Sequence, residues 1–249
     1  MLASLDSARG ILRSLRIYYG DRPRRAAMDR LYGRFIKRGD LVFDIGAHVG
    51  DRIAAFRRLG ACVVAVEPQP LLVKVLRLIY GRDAMVAIEP VAVGRNPGKA
   101  ELMINPGNPT VSTASPDFVA AAAGAPGWEG QAWTSSVRVP MTTLDQLIAR
   151  HGTPVFAKID VEGGEAEVLA GLSQPIPALS FEFTTIQRAV AQACVARCAA
   201  LGLTRFNASL GESHALVHGP WFSAEEIGNW LAALPHAANS GDVYAVRAP

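Results

Sequence analysis

The residues best equipped for chemistry lie at the ends of two apolar runs. The first run, 41–45, leads into Asp44-Ile45-Gly46-Ala47-His48-Val49-Gly50. Gly46 permits a tight turn and close backbone approach to a ligand, and Gly50 permits helix–strand packing. A dinucleotide loop wants G-x-G-x-x-G, with the pyrophosphate against a helix N-terminus. Here Asp44 stands where that pattern wants its first glycine, and the two glycines are four residues apart. A carboxylate at that point repels a pyrophosphate and attracts a ligand carrying an ammonium and a sulfonium. At about 4 Å and an effective dielectric of about 20, one such pair is worth up to ~4 kcal/mol before desolvation. The sign of that interaction favours S-adenosylmethionine over NAD. Glu67, in Val66-Glu67-Pro68, ends the next apolar run and is placed to accept hydrogen bonds from both hydroxyls of a ribose. NAD enzymes use an acidic residue in the same way, so Glu67 supports an adenosine ligand without choosing between the two.

The second acidic group ends the run 155–159. Lys158, Asp160 and Glu162 have period-two spacing, which faces them to one side if strand geometry persists. Beside a methyl donor, that side is where an acceptor sits. Holding the acceptor in line supplies up to ~7–11 kcal/mol, and a general base adds typically ~10²–10⁴-fold. Asp160 is expected to orient or deprotonate the acceptor, with Glu162 as the alternative base and Lys158 tuning their charge. The plainer alternative is that the two acids favour a helix N-terminus. Carboxylates suit Mg²⁺, but spacing places no third one with this pair, so no metal centre is expected. Glu182, on a later run, either lines the same pocket or pairs with a basic residue. His214 and His218 lie in a Gly/Pro-flanked segment, where a lone His is more often surface structure than a late-contributed base.

These residues need a frame. Short apolar runs at 41–45, 62–66, 85–88, 155–159, 178–183 and 243–246 read as strands, and 51–59, 71–80, 144–150, 165–172 and 186–201 as helices. Such alternation implies crossover units and a mostly parallel sheet, right-handed in its connections. Ligands then bind beyond the carboxyl ends of the strands, where the strand order reverses. Residues 1–38 form an N-terminal helical segment, with a second helix at 28–36, and 39–249 form the main domain. Leu5, Leu12, Leu15 and Tyr19 recur near helical spacing with Arg9, Arg13 and Arg16 between them. That stripe packs on the domain, the alternative being a basic membrane-surface helix. Residues 105–136 lack periodicity and carry only Asp117 and Glu129 as charges. Such a segment is a lid or a disordered excursion, and Trp128 and Trp133 favour a lid.

Composition narrows the class. The 249 residues suit one large α/β domain, and a half-hydrophobic chain with 19% charged residues has a sizeable core. A net charge of +3 offers no concentrated basic stripe, so no nucleic-acid partner is expected. Cys62, Cys194 and Cys198 make no disulfide framework. Cys194 and Cys198 share a helix face, yet two thiols alone do not complete a zinc site, and they are expected to pack as small hydrophobes. A reducing cytoplasm fits this usage. No stretch reaches the ~20 apolar residues of a membrane span, and Asp6 argues against a signal peptide.

Taken together, Val42 to Asp51, Ala65-Val66-Glu67-Pro68, Val91-Ala92-Val93-Gly94, Thr143-Leu144-Asp145 and Lys158-Ile159-Asp160-Val161-Glu162-Gly163-Gly164-Glu165 resemble the FkbM-type methyltransferases. The resemblance covers roughly residues 40–185, in the family's order. It implies a class I methyltransferase fold: a doubly wound, Rossmann-like, mostly parallel seven-stranded sheet with an antiparallel strand near its end. It also implies that Asp44, Gly46, Ala47, His48 and Gly50 surround the methionine part of the cofactor. Glu67 would hold the ribose, and Val91 and Ala92 would lie near the adenine. His48 stands where many relatives have Asn, and the asparagines common in relatives at the end of the second helix are absent around 77–80. Members mostly methylate hydroxyls of sugars or polyketides, and some methylate peptide amides. O-methylation of a glycan or natural-product small molecule is therefore expected. N-methylation of a peptide or protein is the alternative. A catalytically silent cofactor-binding partner is a third reading, against which Asp44, Glu67 and Asp160 count.

Overall fold

The computed structural model describes residues 2–248, and the side chains of residues 1–8 and 18 lie outside what it describes, Leu5 and Asp6 among them. Helices α1 (Leu2–Gly20) and α2 (Arg22–Tyr32) precede β1 (Leu41–Ile45), α3 (Asp51–Arg58), β2 (Cys62–Val66), α4 (Pro70–Tyr80) and β3 (Val86–Glu89). Next come β4 (Ala92–Val93), β5 (Gly98–Ile104), α5 (Pro116–Ala122) and β6 (Ser135–Thr142). The chain finishes with α6 (Leu144–His151), β7 (Phe156–Ile159), α7 (Glu165–Ala170), β8 (Ala178–Thr184), α8 (Arg188–Ala200), β9 (Arg205–Leu210), α9 (Ala224–Ala233) and β10 (Ser240–Val246).

The main sheet has seven strands in the order β3-β2-β1-β7-β8-β10-β9. β1 pairs in parallel with β2 on one side and β7 on the other, and β10 runs antiparallel to both its neighbours. The expected doubly wound class I methyltransferase sheet is therefore what forms. Strand order reverses between β1 and β7, which puts the crevice at the two strand ends that carry Asp44 and Asp160. A small second sheet, β4-β6-β5, forms beside it.

Local chemistry explains where helices begin. α2 starts six residues before the expected 28, because the Asp21 side chain accepts the Arg24 N–H at 3.0 Å and Pro23 favours a first turn. α9 was not expected, although Ser223 and Glu226 form a reciprocal capping box at its start. β9 differs from the expected strands in its sequence pattern. Its inward residues include Asn207 and Ser209, both fully buried, so no apolar run marks it.

Residues 105–136 pack around a satellite core. Phe118 is fully buried and meets Trp128 and Trp133 edge-on, with ring centroids 5.1 and 6.2 Å away. The α1 stripe is borne out only in part: Leu15 and Tyr19, joined by Ile11, meet Val49, Leu72 and Val75, whereas Leu12 of that stripe points to solvent and Leu5 lies outside the described side chains. Ile17 also faces out. Cys194 and Cys198 are buried and unbridged. No helix among the described residues is long and apolar enough to cross a membrane.

Candidate active site

The β1–α3 loop is built from left-handed backbone. Gly46, His48 and Gly50 have φ of 86°, 48° and 85°. The loop is tied to β2, because the Gly46 and Ala47 N–H groups both donate to the Val66 carbonyl, at 2.9 and 3.0 Å. Glu67, at the same strand end, accepts the His48 N–H on one carboxylate oxygen at 2.9 Å and the Gln69 N–H on the other at 2.8 Å. Each oxygen keeps a lone pair for a further donor. Burial pushes Glu67 up to about 8, against the pull of those two amides. Asp44 is 2% exposed, and its Oδ2 has no partner among the described residues. Burial first, then the neighbouring Asp51, pushes it up to about 7. Burial lowers His48 to about 4, so its ring is neutral.

Asp44, Gly46, Ala47, His48, Glu67, Val91, Ala92, Lys158, Asp160 and Glu162 all line one cavity of about 650 Å³. Gly50 does not. A Cβ there would stand 2.6 Å from the Tyr80 ring and 2.9 Å from Leu76. Its contribution is helix packing, secured by a 2.7 Å hydrogen bond from the Tyr80 hydroxyl to the Gly50 carbonyl. Tyr19 of α1 reaches the same point, with its hydroxyl 3.0 Å from the Val49 carbonyl and 2.7 Å from the Tyr80 hydroxyl.

At the end of β7, Lys158 is almost fully buried between two carboxylates, 2.9 Å from Asp160 and 3.0 Å from Asp242. Against its burial, these neighbours hold the ammonium charged. Burial alone would raise Asp160, but Lys158 and Arg52 outweigh it and hold the carboxyl below its usual range. Glu162 reaches the cavity, though not by strand periodicity. β7 stops at Ile159, and Glu162 sits in a left-handed turn with φ of 56°. Burial and the charges of Asp160 and Glu165 push it well up. Glu165 closes the turn, accepting the Val161 and Gly163 N–H groups at 2.9 and 3.3 Å. Of the two readings for Glu182, the structure selects the pocket. One carboxylate oxygen each from Asp160, Glu162 and Glu182 lie within 4.8 Å of one another. The expectation of no metal centre rested on two carboxylates, and β8 delivers the third.

Sequence spacing gave no sign of the ion-pair network on the far wall. Arg24 contacts Asp51 at 3.0 Å and Glu212 at 2.7 Å, and Arg52 contacts the same two at 2.6 and 3.1 Å. These partners come from α2, α3 and the turn after β9, and only folding brings them together. His214 is not surface structure: it is 4% exposed and lies behind this network, with Nε2 3.1 Å from Glu212. His218 instead stacks on Phe222, with ring centroids 3.9 Å apart.

The cavity fits a nucleoside carrying an amino acid. Asp44 offers a buried, unpartnered oxygen where an ammonium would be held, and Glu67 offers two preset acceptors for hydroxyls. Residues 44–198 match the family described as the methyltransferase FkbM domain. No curated protein matches the chain. Among solved structures, an O-methyltransferase from Bacillus cereus in complex with SAH is similar over 96% of this chain and 91% of its own, at 9% identity and a TM-score of 0.48. Fibrillarin from Aeropyrum pernix with bound S-adenosyl-L-methionine is similar over 89% and 74%, at 10% identity and 0.48. Precorrin-6y C5,15-methyltransferase from Geobacter metallireducens is similar over 90% and 87%, at 12% identity and 0.45.

Proposed function

The chain belongs to the methyltransferase FkbM domain family and is an S-adenosylmethionine-dependent methyltransferase, and on that premise we propose that it methylates a hydroxyl oxygen of a glycan or natural-product small molecule. One observation carries the choice of acceptor: the cavity floor is acidic, while the segment bordering it is nearly neutral. Thr110, Ser112, Ala114, Ser115 and Pro116 line that border, with Asp117 its one charged residue. Neutral small side chains suit an uncharged acceptor, and carboxylates suit a group that must lose a proton. The small net charge of +3 supports an acceptor other than nucleic acid. In this reading residues 105–136 act as a lid and residues 1–38 as a helical support, and the three free thiols support a cytoplasmic activity.

When bound, the cofactor supplies an electrophilic methyl group on a positively charged sulfur. In this reading Asp44 holds its amino group, Glu67 its ribose, and the backbone at Val91 and Ala92 lies along the base. Lys158 keeps Asp160 ionised and fixed, so Asp160 accepts a hydrogen bond from the acceptor hydroxyl and sets its direction. The hydroxyl proton leaves to Asp160, with Glu162 as the alternative base. Asp160→Asn is expected to lower turnover about 10²-fold while S-adenosylmethionine affinity stays within a few-fold. Undiminished turnover removes Asp160 from the chemistry.

Labelled-methyl transfer from S-adenosylmethionine to panels of glycans, natural-product alcohols, lipids and peptides tests the acceptor. Base-stable label in a sugar or small-molecule ether supports the proposal. Label found only on peptide amide nitrogen overturns it.

A further inference from the structure

The cavity floor gathers three carboxyl groups beside a single ammonium. Asp160 follows β7, Glu162 lies in the turn beyond it, and Glu182 is on β8, with one oxygen of each within 4.8 Å of the others. The adjacent ammonium, Lys158, is turned to Asp160 and Asp242. Glu162 is 7% exposed and lines the cavity. No hydrogen bond or ion pair reaches its carboxylate among the described residues. Glu165, three residues on, is buried too, yet it accepts two backbone N–H groups from the same turn. The turn therefore satisfies one buried carboxylate and leaves the other bare and aimed into the cavity. A bare buried carboxylate is costly unless a proton or a cation accompanies it.

We propose that Asp160, Glu162 and Glu182 bind a divalent cation of the Mg²⁺ or Mn²⁺ class. The donors are all carboxylate oxygens, which suit hard cations and not the nitrogen and sulfur preferences of zinc. Oxygens at about 2.0–2.1 Å from an octahedral ion lie roughly 3–4 Å apart, so modest side-chain closure completes the site. Lys158 engages one oxygen of Asp160, Oδ2, and the carboxylate has a second to offer. Three protein ligands leave positions for water or for oxygens of the substrate. That last role rests on the hydroxyl-acceptor reading, whereas cation binding itself does not. An acceptor with two neighbouring oxygens would fill two of the open positions.

The test uses the full chain with neither cofactor nor acceptor. Mn²⁺ is titrated and free Mn²⁺ followed by its electron paramagnetic resonance signal, with Mg²⁺ as competitor. One Mn²⁺ per chain is expected, with a dissociation constant on the order of 10⁻⁴–10⁻³ M, displaced by Mg²⁺. Glu182→Gln and Glu162→Gln are each expected to weaken it at least about tenfold. S-adenosylhomocysteine binding, measured in the same samples, reports that each variant is folded. A chain that binds S-adenosylhomocysteine but takes up no Mn²⁺ overturns the cation site and leaves methyl transfer standing. So does Mn²⁺ binding that both variants leave unaltered, since the ion then sits elsewhere. Mn²⁺ uptake without S-adenosylhomocysteine binding would do the reverse, keeping the cation site and sinking the cofactor reading.

Discussion

Gly46→Ala is expected to melt about 10 °C below the parent chain and to bind no S-adenosylhomocysteine at about 1 mM. A methyl group at this position would stand 1.7 Å from the Asp160 carbonyl oxygen, far inside contact distance. The backbone cannot simply step aside, because the Asp160 N–H donates to the Ile45 carbonyl at 2.9 Å and Gly46 itself is bonded to Val66. Relief requires the ends of β1 and β7 to separate, and those ends carry Asp44 and Asp160. Overpacking typically costs ~1–3 kcal/mol, and left-handed backbone costs a non-glycine residue another ~1–2 kcal/mol. At roughly 2–4 °C per kcal/mol for a chain of this size, the two give the stated drop. Gly39→Ala separates the contributions. Gly39 has φ of 88° but open space around its Cα, so that variant carries the backbone cost alone. Calorimetric melting and titration of both variants check the argument. Parent-like cofactor binding by Gly46→Ala would refute the close approach of the two strand ends.

The same comparison of local and distant causes explains how much could be read in advance. β1, the loop after it and Glu67 are local features, in which an apolar run stops at turn residues and an acid follows. The strand-order reversal follows from the alternation of strands and helices. What the spacing could not supply were partners from remote segments. Lys158 was read as tuning Asp160, and the ion pair is there, but its second partner, Asp242, comes from the last strand. Glu212 and Arg24 meet across the fold with no periodic signal in either neighbourhood. Glu162 was expected in the pocket through strand alternation, yet a left-handed turn brings it there. Residues 105–136 gave no pattern because Phe118, Trp128 and Trp133 pack on one another and not on one helix face. The Ser223–Glu226 capping box, by contrast, is a local signal that marks the start of α9 within four residues.

The second large effect couples cofactor binding to pH and reverses sign for stability. Asp44→Asn is expected to weaken S-adenosylmethionine about 10²–10³-fold at pH 8, since an ion pair at an effective dielectric of about 20 is worth up to ~4 kcal/mol. The same variant, without ligand, is expected to be more stable than the parent at pH 8. In the folded chain Asp44 is raised from 3.8 to about 7 and Glu67 from 4.5 to about 8. A carboxyl raised on folding contributes stability that is fully present below its unfolded pKa and lost as pH rises through the folded value. The free parent chain therefore weakens between about pH 4 and pH 8, at up to ~1.4 kcal/mol per pH unit for each group. Removing the Asp44 charge removes its share, a gain on the order of 5 °C at pH 8. Binding runs the other way, because the cationic ligand needs the ionised site. Affinity of the parent rises from pH 6 to pH 8 as Asp44 and then Glu67 ionise, and the first part of that rise disappears in Asp44→Asn. Titration calorimetry and melting at pH 6, 7 and 8 measure both arms. A variant that loses affinity and also loses stability at pH 8 would mean that Asp44 supports the fold and that its buried charge is already paired. A variant more stable yet weaker in binding identifies a carboxylate kept in the core at a cost, for the sake of the cation it receives.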